Sequence, residues 1–300
     1  MIDKLRFYQI NLNKCELAQS NFMVELMNFK DKQFICLIQE PHFHGLKPSS
    51  INRKYMQVFH AKGTKQHWPR AMIVASKDLK LSLIENLTSR DTTCINLHGP
   101  KEELMISSSY QDIDYQEVVN NIDKCVEHSK RVHKEIIIGS DSNAHSQLWM
   151  SESNNIRGDI FEDFLTRNNL LVSNVGNKYT YDCALGKSII DITIVSMYLF
   201  DRIKDWVVHD EDYFSDHKLI SFYIEFNKPP PCFSRNFKKA NWSYFKHILK
   251  NKTWDDPPEL WSKMTIEKEA EKLRMDIIQA LDKVCPLIKH SIIVLVYLRI

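Results

Sequence analysis

Short apolar, β-branched runs recur from Leu5 to Phe226, and they leave few folds open to this chain. They are Leu5–Ile10, Phe34–Ile38, Ala71–Ala75, Leu104–Ser108, Glu135–Ile138, Leu171–Ser173, Ile189–Val195, Trp206–His209 and Leu219–Phe226, each the length of a strand. Helical spacing appears between some of them. Ala18, Phe22, Leu26 and Phe29 fall on one face of Cys15–Phe29. Asp114–Val132 opens with Asp114 and Glu117 as an N-cap pair ahead of Val118, Val119, Ile122 and Val126, and Asp159–Leu165 reads as a third, shorter helix. Mixed strands with helices outside them predict an α/β fold, a four-layered α/β sandwich of two mixed sheets flanked by helices.

The pattern breaks at Pro229-Pro230-Pro231, which cannot continue a central strand. The reading is therefore a domain over 1–227, a Pro-rich basic linker over 228–258, and a helical segment with an apolar tail over 259–300. Trp242–Leu249 and Leu260–Val284 are the helices of this C-terminal appendage. Charge divides at the same place: residues 1–227 hold 26 Lys and Arg against 30 Asp and Glu, and residues 228–300 hold 14 against 8. That balance neither demands nor excludes a nucleic-acid partner, because an acidic domain can hold a local basic groove.

Seven scattered cysteines form no C-x-x-C pair, which argues against a disulfide framework and a zinc knuckle and favours a reducing compartment. Asp3, Lys4 and Arg6 interrupt any signal-peptide core, so the expected location is nuclear or cytoplasmic. The apolar run Ser291–Leu298 is far shorter than the roughly 20 residues a bilayer requires, and no membrane partner is expected.

Chemistry-bearing residues fall at the ends of the expected strands. Asn11 ends the first, Glu40 the second, and Tyr110 follows the fourth. Asp141 and Asn143 follow Ile136-Ile137-Ile138-Gly139, Asp191 lies in the seventh, and Ser215-Asp216-His217 precedes the last. Each has a purely structural alternative: Asp141 with Asn143 can be an Asx turn, Asp216 a cap, and Asn11 a partner for backbone groups. Their recurrence in strand order is what points to a site.

The ordered set Asn11, Glu40, Tyr110, Asp141-x-Asn143, Asp191 and Ser215-Asp216-His217 resembles the endonuclease/exonuclease/phosphatase superfamily over about residues 4–226. Gln9-Ile10-Asn11-Leu12-Asn13-Lys14-Cys15, Ile38-Gln39-Glu40-Pro41-His42 and Asp141-Ser142-Asn143-Ala144-His145-Ser146 with Leu148-Trp149 are more narrowly similar to the apurinic-type endonuclease domain of insect-type non-LTR retrotransposons. Asn168-Asn169-Leu170 and Tyr179-Thr180 fit that subgroup too. One departure is Gly139-Ser140-Asp141-Ser142-Asn143, a residue longer between glycine and acid than the common pattern.

The resemblance implies metal-assisted hydrolysis of a DNA phosphodiester that nicks one strand and leaves a 3′-hydroxyl, with Mg²⁺ or Mn²⁺ and no small-molecule cofactor. It places Asn11, Glu40 and Asp216 at the metal, since hard cations take oxygen ligands. Asp141 orients or deprotonates water, Asn143 and Tyr110 hold phosphate oxygens, and His217 donates to the phosphate in a tautomer fixed by Asp191. DNA contacts are expected from Arg70, Trp149, Lys238 and Lys239, with Trp68 a further candidate; His42, His44 and His145 fall on the rim. Polyproteins of this kind continue into a reverse transcriptase, so the chain reads as a truncated copy whose C-terminal helices dock on the missing remainder. Two rival readings are a phosphodiesterase acting on a lipid or inositol phosphate, and a remnant that binds nucleic acid without cutting.

Overall fold

The computed structural model describes residues 4–29, 33–64, 67–99, 102–114, 118–226, 232–252 and 263–290. Two compact units divide them, Met1–Asn227 and Lys228–Ile300. In the first, β1 (Lys4–Asn11) passes through α1 (Glu16–Asn28) to β2 (Phe34–Gln39), a small pair β3 (Phe43–His44) and β4 (Lys47–Pro48), then β5 (Met56–His60) and β6 (Ala71–Ser76). There follow β7 (Leu81–Leu83), β8 (Thr92–His98), β9 (Glu103–Tyr110), α2 (Asn120–Arg131), β10 (Glu135–Asp141), α3 (Ile156–Asn168) and β11 (Leu170–Val172). The unit closes with a hairpin of β12 (Tyr181–Cys183) and β13 (Gly186–Ser188), then β14 (Asp191–Ser196), α4 (Met197–Phe200), β15 (Ile203–Val208) and β16 (Ile220–Glu225).

The long strands form two six-stranded mixed sheets, ordered β15-β16-β1-β2-β6-β5 and β11-β14-β10-β9-β8-β7. Both are built alike. At the centre of each lies one parallel pair, β1 with β2 and β9 with β10, and the flanking strands run antiparallel. A parallel pair needs a crossover, supplied by α1 in the first sheet and α2 in the second. The carboxyl ends of a parallel pair point the same way, and the outlets of β1, β2, β9 and β10 carry Asn11, Glu40, Tyr110 and Asp141.

Strand periodicity sorts the side chains into layers. Leu5 and Phe7 of β1, Ile35 and Leu37 of β2, and Ile137 of β10 point between the sheets and meet Ile73, Ile95, Leu104, Ile106 and Phe222. The intervening Tyr8, Ile10, Cys36 and Ile38 face Phe22 and Leu26 of α1. Ile136, Ile138, Ile192 and Ile194 face Ile122 and Val126 of α2 and Phe161 and Phe164 of α3. The four-layered sandwich expected from sequence is the observed one. Strands covered on both faces read as continuous apolar runs, which is why β2, β6 and β10 stood out.

Towards the strand outlets the inter-sheet layer turns polar. Gln39 Nε2 donates to Ser108 Oγ at 3.0 Å and to the Gly139 carbonyl at 3.1 Å. Thr193 Oγ1 donates to Gln9 Oε1 at 3.0 Å. Gly139 leaves room there: a Cβ would lie 2.6 Å from Leu37 Cδ1 and 2.9 Å from Gln9 Oε1, so those side chains would have to shift. The buried Gln39 and Gln9 amides tie one sheet to the other just beneath the outlets.

Several expectations need correction. Met56–His60, Leu81–Leu83 and Thr92–His98 are strands that the sequence reading missed; Thr92–His98 alternates with polar Thr, Asn and His and lacks a continuous apolar run. The second helix starts at Asn120, not Asp114, and Val119 caps it without a side-chain bond. Asp114 belongs instead to a turn in which Asp112 Oδ1 accepts its N–H at 3.1 Å, and Glu117 lies outside the described residues. The segment read as a linker is also folded: in the second unit β17 (Cys232–Arg235) pairs antiparallel with β18 (Leu287–His290), and α5 (Trp242–Lys250) packs on α6 (Lys263–Val284). Pro229–Pro231 and Ser291–Leu298 lie outside the described residues. No helix among the described residues is long and apolar enough to cross a membrane.

Candidate active site

The outlets surround a cleft of about 420 Å³, lined by Glu40, Tyr110, Asp141, Asn143, Asp216 and His217 among others. Asn11 joins its two sides: Asn11 Nδ2 donates to Asp141 Oδ2 at 2.8 Å, while Asn11 Oδ1 accepts the Asn13 N–H at 2.7 Å. The opening residues of both outlets are held in unusual backbone. Glu40 has φ +45° and Asn143 φ +46°. Asn tolerates that region, but Glu does so at a cost of roughly 1–3 kcal/mol that the surroundings must overcome. They do so here through the Glu40 N–H donating to the Arg70 carbonyl and the Glu40 carbonyl accepting the Lys14 N–H, both at 2.8 Å.

On the first flank, the Glu40 carboxylate is almost fully buried and Lys14 Nζ stands 2.6 Å from its Oε1. Asn13 Nδ2 reaches Asp216 Oδ2 at 3.3 Å. Glu40, Asp216 and the Asn11 carbonyl are oxygen donors throughout, the set a hard divalent cation selects, and an ammonium already sits against Glu40 as a positive stand-in. Glu40 and Asp216 line one cleft and offer the donor type such an ion takes, while among the described residues the group with ligand-capable atoms close together is Asp141, Asp191 and His217.

On the other flank, His217 Nδ1 lies 2.9 Å from Asp191 Oδ2, and its Nε2 lies 4.0 Å from Asp141 Oδ2. All three are buried, and their ligand-capable atoms lie within 4.8 Å of one another. Burial and then the Asp191 charge push the Asp141 carboxyl up to about 7. Burial works against the His217 cation, but the Asp191 charge and hydrogen bond, then Asp141, push it up to about 9. The imidazolium thus balances two buried acids. Tyr181 packs its ring on His217 at 4.9 Å. The Tyr110 hydroxyl is pushed well above its usual range by burial and by Glu40 and Asp141, so it stays a phenol.

Two expected DNA contacts are corrected. Trp149 is 1% exposed and donates Nε1–H to the Ile189 carbonyl at 3.2 Å; its ring packs on Phe161. Arg70 is buried with bonds to Asp91 at 2.5 and 2.8 Å and to Asp112, and its guanidinium lies 4.8 Å from the Tyr110 ring centre. It therefore supports Glu40 and Tyr110 from behind. Trp68 is exposed and donates to the Gly45 carbonyl. His145 lines the cleft, His42 bonds Ser49, and His44 is exposed. Lys238 and Lys239 are exposed in the second unit.

Arg157, which the sequence reading passed over, fastens the rim. Its guanidinium donates to the carbonyls of Asn143 at 3.0 Å, Asp112 at 3.1 Å and Gln111 at 3.3 Å, joining the outlets of β9 and β10. Beside it, Asn155 caps α3 by accepting the Gly158 N–H at 2.8 Å and also accepts the His145 N–H at 3.1 Å. A Cβ on Gly158 would lie 1.9 Å from the His145 carbonyl. The Arg157-Gly158 pair after a capping Asn was the available signal.

Comparison with known proteins agrees with this geometry. Residues 92–221 match the family model described as endonuclease-reverse transcriptase. The endonuclease domain of TRAS1, a telomere-specific non-LTR retrotransposon, superposes with a TM-score of 0.64 at 27% identity over 75% of this chain and 100% of that one. Over the matched residues the chain is similar to endonucleases of the endonuclease/exonuclease/phosphatase type. The domain is also similar to a retrotransposon protein: a retrovirus-related Pol polyprotein from the type-1 retrotransposable element R1 of Bradysia coprophila is 24% identical over 186 residues, 57% of this chain. The match spans 18% of that relative's length. The AP endonuclease LMAP from Leishmania major shares the fold at 10% identity, with a TM-score of 0.57 over 74% of this chain and 88% of that one.

Proposed function

We propose that the chain is a metal-dependent DNA endonuclease that hydrolyses a phosphodiester in one strand and leaves a 3′-hydroxyl, the end from which a retrotransposon primes reverse transcription. The observation that carries this reading is Asp141, held by Asn11 at 2.8 Å and by the Asn143 N–H at 3.2 Å, facing His217 Nε2 with Glu40 on the same cleft.

Each residue has a task its surroundings support. Asp141, raised to about 7, accepts a proton from the attacking water near neutral pH. His217 is protonated there. Asp191 holds its Nδ1, so the Nε2–H is directed at a phosphate oxygen whose charge grows as water attacks. Tyr110 donates its hydroxyl to the same group. Asn143 Nδ2 donates to the Gln111 carbonyl at 3.0 Å, leaving its second amide hydrogen for phosphate. Glu40, with Asn11 and Asp216, would hold Mg²⁺ or Mn²⁺, which supplies neutralisation of the phosphate and of the departing 3′ oxygen.

Supercoiled plasmid tests this reading directly. Open circles are expected with Mg²⁺ and none with EDTA, and a polymerase should extend the nicks without prior end repair. Intact plasmid alongside release of phosphate from inositol phosphates would overturn it in favour of a different phosphoester substrate.

A further inference from the structure

The second unit holds a surface that the cleft chemistry leaves unused. Its fold is fixed at a turn: the Asn236 N–H donates to the Pro286 carbonyl at 2.8 Å and the Asn241 N–H to the Val284 carbonyl at 3.0 Å, tying residues 236–241 to the end of α6. Asn241 then caps α5 by accepting the Tyr244 N–H at 3.0 Å. Phe245, Ile248 and Leu249 are partly covered, whereas Trp242, Lys246 and Lys250, spaced four residues apart, share an exposed face of α5.

The ion pairs separate structural cations from available ones. Arg235 pairs with Asp282 at 2.5 Å, and Lys252 pairs with Asp276. Lys238, Lys239, Lys246 and Lys250 are exposed and pair with no described residue. Among them stand two aromatic rings that solvent reaches, Phe237 at 53% and Trp242 at 44% exposure. They lie nearly parallel, 11° apart with centroids 6.3 Å from each other, and the indole is held by Nε1–H donating to the Phe237 carbonyl at 3.2 Å. A fixed, exposed aromatic pair with two exposed lysines next to it in sequence and two more along the Trp242 face of α5 suits one ligand class: phosphates for the cations, and bare base faces for the rings. Duplex DNA offers the first but hides the second within its stack.

We propose that the face formed by Phe237, Trp242, Lys238, Lys239, Lys246 and Lys250 binds single-stranded polynucleotide, with bases stacked on the aromatic pair and the backbone following the lysines. This surface does not depend on the nicking reading, since it needs neither the cleft nor a metal.

The test uses the full chain in EDTA, so that binding is measured whether or not the chain can cut. Fluorescence anisotropy would follow labelled oligothymidylate and oligouridylate of about 20 nucleotides, and a duplex of equal length, across a range of salt concentrations. Replacing the four lysines with glutamine breaks no described ion pair. It should flatten the plot of log affinity against log salt for single strands by about 0.7 for each lysine engaged, between about 2 and 3 in all. Phe237→Leu with Trp242→Leu should weaken single-strand binding about tenfold or more at an unchanged slope, because stacking carries no counterion release. Native circular dichroism is required of both variants. An unchanged slope in the lysine variant, equal losses on duplex and single strand in the aromatic variant, or competition by polyglutamate as strong as by oligothymidylate would each overturn the proposal. Comparison of the thymidylate and uridylate arms shows which nucleic acid the surface prefers.

Discussion

The two flanks of the cleft solve the same electrostatic problem in opposite ways. Glu40 is neutralised by Lys14, whose side chain is 60% exposed on a flexible stem. Asp141 and Asp191 are neutralised by His217, whose side chain is 7% exposed and which is bonded at Nδ1 and covered by Tyr181. The Lys14 side chain can swing into solvent, but the buried Glu40 carboxylate it leaves then needs another cation in its place. The imidazole cannot leave, because its departure strands two buried acids. On the proposed reading, one flank exchanges its cation and the other keeps its charge fixed through the reaction.

That contrast can be broken most sharply at the carboxylates. Glu40→Ala and Asp141→Ala should each lower nicking by about a hundredfold to ten-thousandfold, with native circular dichroism. They should also differ: raising Mg²⁺ recovers part of the activity of Glu40→Ala and none of that of Asp141→Ala. Nicking retained within tenfold in either variant contradicts the assignment of that residue.

The fixed flank is probed next. His217→Ala should cost a similar factor, and Asp191→Asn about ten- to a hundredfold, because an amide still orients the ring but no longer stabilises its cation. In the double variant the losses should fall short of multiplying, as expected of residues acting as one unit. Independent, fully multiplying losses would show that the 2.9 Å contact has no catalytic meaning.

Arg157 fastens both outlets of the second sheet without being placed to touch the scissile bond. Arg157→Ala is expected to lower kcat about tenfold through misplacement of Asn143 and Tyr110, with a smaller change in KM, and Arg157→Lys should recover little because an ammonium cannot serve several carbonyls in one plane. Single-turnover kinetics with saturating plasmid separate this from weaker binding.

The smallest effect is expected at Lys14. Lys14→Gln removes the ammonium that competes for Glu40 and should lower the Mg²⁺ needed for half-maximal nicking by about two- to fivefold. A higher Mg²⁺ requirement would mean that Lys14 assists the cation and does not compete with it.

Much of this was legible in the chain itself. The continuous apolar runs of β2, β6 and β10 announce strands covered on both faces, and the apolar stripe of Cys15–Phe29 announces the helix that covers one of them. The strand-end order Asn11, Glu40, Tyr110, Asp141, Asp191, His217 was readable as a set, and the mixed sandwich brings Glu40, Tyr110, Asp141 and His217 to one cleft. Less legible were β5 and β8, whose polar alternation resembles a loop, and the fold of the basic segment after Asn227, where β17 finds its partner more than fifty residues later.

Only the tertiary structure decided which polar residues face the cleft and which stand behind it. Arg70 and Trp149 look like DNA contacts as letters, yet both are buried, because Asp91 and Asp112 claim the guanidinium and Ile189 the indole N–H. Arg157 and Lys14 look like surface cations, yet one binds the carbonyls of the rim and the other stands on Glu40. A strand pattern fixes which way a side chain points relative to its own sheet. What that side chain meets is set by residues far away in sequence, and local spacing carries no record of them.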